Sequence, residues 1–76
     1  MAGWHPIKRR ELVRKLRALG FTGPYRGTRH EFLIFDLQRQ TIPSNAEYSV
    51  AQLRIVLRQV ESILGRRISA DEWAEL

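Results

Sequence analysis

Cysteine is absent from this 76-residue chain, which excludes both a disulfide framework and a thiolate metal site. A chain this short supports only a modest core, so without staples its stability comes from packing, helped where needed by a partner. No apolar run approaches the length of a membrane span. The N-terminus also lacks the charged-then-apolar layout of a secretory signal. A cytoplasmic location with no membrane association is therefore expected. Repeats, low-complexity tracts and interdomain linkers are missing too, so a single domain over residues 1–76 is expected. Acidic residues are scarce in one region: residues 1–30 contain only Glu11 against eight basic residues.

Several chemistries are excluded on similar grounds. Two histidines and scattered carboxylates give no metal-ligand spacing, so neither a metal nor a cofactor is expected. Ser44, Ser49, Ser62 and Ser69 have no G-x-S-x-G context. Neither a P-loop nor a G-x-G-x-x-G occurs.

What is present is positive charge and enough apolar character to fold: hydrophobic residues make up 43%. The net charge is +5 and the sequence pI about 10.8, which favours a polyanionic partner. The distribution is uneven. Residues 1–30 stand at +7, whereas the remainder, with five basic and seven acidic residues, stands at −2. Eleven of the 13 basic residues are arginine, the side chain suited to bidentate phosphate contacts. The plainer reading is a solvated basic helix; the bias to one end favours a nucleic-acid face instead.

In order, Pro6 fits the first turn of a helix over residues 7–19 that Gly20 stops. Leu12, Leu16 and Leu19, with Val13 alongside, have the spacing of one buried stripe. Arg10, Arg14 and Arg17 have the same spacing on another face, and Glu11 with Lys15 forms an i,i+4 pair. Residues 21–24 read as a Gly-Pro turn. A short strand begins near Tyr25, and Gly27-Thr28 connects it tightly to a second strand over 30–36. There His30, Phe32 and Ile34 point one way, and Glu31, Leu33 and Phe35 the other. Both faces are apolar and one helical layer covers only one of them. Residues 37–39 read as a turn, 40–42 as a third strand ended by Pro43, and 44–48 as a loop. Ser49 and Gln52 form a capping box for a helix ending near Leu64, with Leu53, Val56, Leu57, Val60, Ile63 and Leu64 as its buried stripe and Gly65 as its stop. Ser69 and Glu72 form a second box for a short terminal helix carrying Trp73 and Leu76. The expectation is an α+β fold in α-β-β-β-α order: a three-stranded antiparallel sheet with two helices on one face, the arrangement of double-stranded-RNA-binding domains.

His5 lies in an N-terminal segment beside a proline and is a poor candidate for function. His30 stands where a glycine turn meets a strand, between Arg26, Arg29 and the apolar strand. Imidazole titrates near neutral pH. It takes a proton from a ribose 2′-hydroxyl or gives one to a leaving oxygen, while neighbouring guanidinium groups steady the phosphate. Gly27 lets backbone approach that phosphate closely. An ordinary strand-end histidine with a hydrogen bond is the competing reading.

The segments KRRELVRKLRALGF, PYRGTRHEF, TIP, LRIVLRQ and ISADEW, in this order from Lys8 to Trp73, resemble the HicA (YcfA-like) mRNA interferase family, the toxins of bacterial toxin–antitoxin pairs. No one of these motifs is highly specific; their ordered set is. The resemblance implies a double-stranded-RNA-binding-like fold, ribosome-independent endonuclease cleavage of mRNA, and a HicB antitoxin that covers the active site. The family's single important histidine follows a glycine in a Gly-Ser-x-His type stretch. Gly27-Thr28-Arg29-His30 matches it with Thr28 in the serine position, so the catalytic role carries over to His30 only. Some members have adjacent histidines where this chain has Arg29 and His30. Many also join LRxILRQ to the terminal helix by a short Ala-Gly-Ile-Ser link, whereas here VESILGRR intervenes and lengthens the second helix by about two turns at most.

The expected site is thus His30 as general base or acid, with Arg26, Gly27, Thr28 and Arg29 holding the phosphate and the Arg10, Arg14 and Arg17 face guiding the backbone. The alternatives are a non-catalytic RNA-binding module of the same fold, and a protein-interaction domain that binds through Leu33 and Phe35. The second strand face is either covered by a partner or wraps an edge, and the longer second helix bears on antitoxin docking or on self-association into a homo-oligomer.

Overall fold

The computed structural model describes residues 3–76. Eight elements follow one another: β1 (Ile7–Lys8), α1 (Arg9–Ala18), β2 (Thr22–Arg26), β3 (Glu31–Phe35), β4 (Gln38–Thr41), β5 (Glu47–Tyr48), α2 (Val50–Leu64) and α3 (Ala70–Glu75). The architecture is α+β, with β2, β3 and β4 in one antiparallel sheet, β1 paired to β5 in a small second sheet, and three helices.

The first helix begins later than its periodicity predicts. Ile7 and Lys8 are extended and pair with Tyr48 and Glu47, so Pro6 precedes a strand and residues 44–48 are not all loop. The pairing replaces a missing cap. Lys8 at the N-cap makes no side-chain bond, and the Arg9 N–H donates to the Ala46 carbonyl at 2.9 Å instead, satisfying one of the donors that a helix start leaves open. Leu12 and Leu16 are fully buried, and Gly20 ends the helix with φ 112°. A Cβ there would sit 3.1 Å from the Phe35 ring. Glu11 pairs with Arg14 rather than Lys15, at 2.9 Å. Lys15 turns to α3, donating to the Trp73 carbonyl at 2.6 Å with its ammonium over the Trp73 ring. The apolar surroundings push its pKa down.

The main sheet is also longer on its first strand than expected. β2 starts at Thr22, with Phe21 buried behind it, and an irregularity between Thr22 and Tyr25 absorbs one residue. The second hairpin turns on Asp36-Leu37, not on 37–39, because Phe35 pairs with Gln38. Asp36 takes φ 53°, a conformation Asp tolerates better than most residues. β4 accordingly covers 38–41, and Ile42 lies past its end, buried, with its N–H on the Glu31 carbonyl at 3.0 Å.

Leu33 is wholly buried, and its cross-strand partner Gln40 donates to Gln59 of α2 at 2.8 Å. On the same face Phe35 packs on Phe21 beside the end of α1, with ring centroids 5.3 Å apart. Both long helices therefore cover one face of the sheet, and Leu12, Leu16, Leu33, Leu53, Val56, Leu57, Val60 and Trp73 share one core. This corrects the expectation that Leu33 and Phe35 could meet a partner: Leu33 is interior and Phe35 packs against the core. The open face carries Tyr25 and Phe32, 5.7 Å apart, with the Arg39 guanidinium 4.3 Å from the Phe32 ring.

The Ser49 capping box forms in full, with Gln52 N–H on the Ser49 hydroxyl and Ser49 N–H on the Gln52 carbonyl oxygen. The second box forms by half. Ser69 accepts from Glu72 N–H at 3.0 Å, but the Glu72 carboxylate pairs with Arg66 at 2.8 Å. Among the described residues no helix is long and apolar enough to cross a membrane.

Candidate functional site

The link between β2 and β3 is built by a close approach. A Cβ on Gly27 would lie 2.3 Å from the His30 carbonyl oxygen, a separation real Cβ atoms essentially never show. The glycine thus lets the chain fold back on His30, rather than merely admitting a phosphate. His30 is the last residue of this bend and β3 begins at Glu31, so the imidazole stands off the end of the sheet and is exposed.

Three segments meet there. Arg9, Arg26, Gly27, Thr28, Arg29, His30, Glu31 and Ser44 line one groove of about 370 Å³. His30 Nδ1 lies 2.8 Å from the Ser44 hydroxyl, which holds the ring and leaves Nε2 as the nitrogen open to a ligand. Ser44 is in turn placed by the residue before it. The Pro43 carbonyl accepts from Arg9 Nη1 at 3.1 Å and from the Tyr48 hydroxyl at 2.6 Å. The other arm of the Arg9 guanidinium pairs with Glu31. One arginine at the start of α1 therefore ties β3 to the 43–44 corner across which His30 and Ser44 meet.

Arg26 and Arg29 have no acidic partner among the described residues, so the groove carries two uncompensated guanidinium groups beside the imidazole. Arg10, Arg14 and Arg17 do not line it. Arg14 is spent on Glu11 and on the Leu76 carbonyl at 3.4 Å, and its guanidinium holds the Glu11 carboxyl below the usual carboxylate range. The helix face expected to border the site contributes nothing to the groove, and Arg9, off that face, is the α1 residue that lines it.

Arg9, Glu31 and Ser44 line the groove but were not among the site residues that sequence reasoning nominated. Arg9 was hidden in the basic run 8–10, where spacing assigned the exposed face to its neighbours. Ser44 lies 14 residues from His30 and had no local signal beyond the preceding proline. His5 lines a separate groove with Trp73, Lys15 and Glu11, away from His30. A larger groove runs between Trp4, α2 and the start of α3, lined by Arg54, Arg58 and Arg67 with Glu61 and Glu72. Arg54 stacks on Trp4 there at 5.2 Å, Glu61 accepts from the Ile68 N–H at 2.7 Å, and no histidine is present. Among the described residues no three of His, Asp and Glu converge to hold a metal ion.

A histidine with one ring nitrogen held and the other open, next to two free guanidinium groups, has the parts for proton transfer at a bound phosphodiester. No protein-family description, no curated protein and no solved structure matches this chain.

Proposed function

We propose that the protein is a metal-independent endoribonuclease of the HicA-like, mRNA interferase kind, with a double-stranded-RNA-binding-like fold, acting as the toxin of a toxin–antitoxin pair. The observation that carries this reading is His30, tethered at Nδ1 by Ser44 in a groove that also holds Arg26 and Arg29. The α-β-β-β-α order of the main elements and the ordered segments KRRELVRKLRALGF, PYRGTRHEF, LRIVLRQ and ISADEW support the same assignment.

In the proposed reaction the RNA phosphate sits between Arg26 and Arg29. His30 Nε2 takes the proton of the adjacent 2′-hydroxyl, whose oxygen attacks phosphorus. The bond to the 5′-oxygen breaks, and that oxygen leaves as a hydroxyl with a proton from water. The products are a 2′,3′-cyclic phosphate and a 5′-hydroxyl end. The guanidinium groups meet the charge that grows on the phosphoryl oxygens. A HicB-like antitoxin is the expected protein partner and would inhibit by occluding this groove.

The test is cleavage of a mixed-sequence RNA by purified protein in EDTA, wild type against His30→Ala, with the product ends identified. Cleavage leaving cyclic phosphates, lost in the variant, supports the reading. RNA retarded in a gel but uncut over hours by excess wild-type protein would instead make this a binding module.

A further inference from the structure

A second groove, of about 290 Å³, adjoins the first, and His30 lines both. One wall is a single face of α2: Gln52, Ile55, Val56 and Gln59 follow the i, i+3, i+4, i+7 spacing that sets side chains in a row. The facing wall is Thr41 and Pro43. Ile55 is 54% exposed, an aliphatic surface left open in the middle of this row.

The hydrogen bonds at either end fix what the groove offers. The Gln52 carbonyl oxygen accepts from the Ser49 N–H at 3.0 Å, so its NH₂ faces elsewhere. Gln40 Nε2 donates to the Thr41 carbonyl at 3.0 Å and to Gln59 Oε1 at 2.8 Å. The carbonyl demands a donor, which orients Gln40, and Gln40 then orients Gln59. Each of the two lining amides has its oxygen engaged and its NH₂ to give. Apolar walls and two amide donors, with no Asp, Glu, Lys or Arg in the lining, suit a small planar ring with acceptors on its edge.

We propose that this groove is a nucleobase subsite, holding the base next to the phosphate at His30. The base packs against Ile55, Val56 and Pro43, and two acceptors on one edge, O2 and O4 of uracil or O6 and N7 of guanine, accept from Gln52 and Gln59. The donors select uracil and guanine over adenine, whose amino edge would meet them donor to donor. The inference rests on RNA being the ligand of the adjoining groove, and its test separates the two. Wild-type protein labelled with ¹⁵N and ¹³C is titrated with uridine, guanosine and adenosine 3′-monophosphates and with ribose 5-phosphate. The Gln52 and Gln59 side-chain NH₂ signals and the Ile55 methyls are expected to shift with the uridine and guanosine nucleotides and to stay still with ribose phosphate. In RNA cleavage, Ile55→Glu, a change at an exposed position, is expected to lower the preference for uracil and guanine over adenine about ten-fold. Still signals at Gln52, Gln59 and Ile55 overturn the subsite even if RNA is cut. Base preference unchanged in Ile55→Glu overturns it as well and leaves this row to a protein partner. Base-dependent shifts in a protein that cuts no RNA support the subsite while refuting the nuclease.

Discussion

α1 and the Gly27–His30 bend both carry arginines, and the fold treats them in opposite ways. On α1, Arg10, Arg14 and Arg17 repeat at helical spacing, yet Arg14 is absorbed by Glu11 and the C-terminal carbonyl of Leu76. None of the three reaches the groove at His30. At the bend, Arg26 and Arg29 come from the end of β2 and from the bend itself, and Arg9 joins them from the helix start. The first set makes a diffuse field; the second makes a place. Phosphate chemistry needs donors that converge on one point, whereas a charged helix face steers a polyanion without fixing it.

The contrast is sharpest at His30. His30→Ala is expected to reduce RNA cleavage by about 10²- to 10⁴-fold, the range of a lost general acid–base group, with circular dichroism and thermal melting unchanged because the side chain is exposed. Equal activity in the variant would move the chemistry elsewhere. Gly27→Ala tests whether the bend is as tightly determined as its geometry implies. The added methyl meets the His30 carbonyl at 2.3 Å, so the backbone must shift. Stability is expected to fall by about 1–3 kcal/mol in urea denaturation, and cleavage by about 100-fold through misplacement of the imidazole. A fully active, fully stable Gly27→Ala protein would show that the bend is not needed in this form.

Ser44→Ala removes the hydroxyl on Nδ1 and nothing from the core. Cleavage is expected to fall about ten-fold, and Ser44→Thr, which restores a hydroxyl, to recover part of it. Arg17→Ala belongs to the other side of the comparison. It is expected to weaken RNA binding only a few-fold at low salt, with the difference fading as salt rises, and to leave the single-turnover cleavage rate unaltered. A rate loss matching that of His30→Ala would erase the distinction between field and site.

The smallest effect concerns acid. Arg66 holds the Glu72 carboxyl below its usual range, and Arg14 does the same for Glu11. A carboxyl depressed in the folded state contributes stability above its unfolded pKa and loses it as pH falls through the folded value. Urea midpoints should therefore decline on acidification through the carboxylate range, slightly less steeply in Arg66→Ala. Because these pairs are solvent-exposed, the decline should shrink further in high salt.

Much of the scaffold was legible because it follows periodicity. The Leu12 and Leu16 stripe, the α2 stripe from Leu53 to Val60, the Ser49 cap and the Gly20 and Gly65 stops each depend on neighbours within a turn or two. The errors fall where a distant segment overrode a local preference. Ile7 and Lys8 read as helix and became a strand because Glu47 and Tyr48 supplied their partners. Residues 21–24 read as a turn, yet 22–24 joined the sheet as the start of β2, with Thr22 opposite Ile34. Both faces of the second strand read as apolar, and only the placement of two helices on one face decided that Leu33 is core while Phe32 stays on the open side.

Sequence alone determined the helices, the buried stripes, the glycine before His30 and the excess of arginine near the N-terminus, since each is a matter of residue type and short-range spacing. Tertiary structure decided which arginines count. Arg9, Ser44 and Tyr48 lie 21, 14 and 18 residues from His30 in the chain, and no local pattern joins them. They meet because β1 pairs with β5 and fixes the 43–44 corner against the start of α1. Long-range pairing is set by the burial of the whole core, and so the imidazole's partner could be read only once the chain was folded.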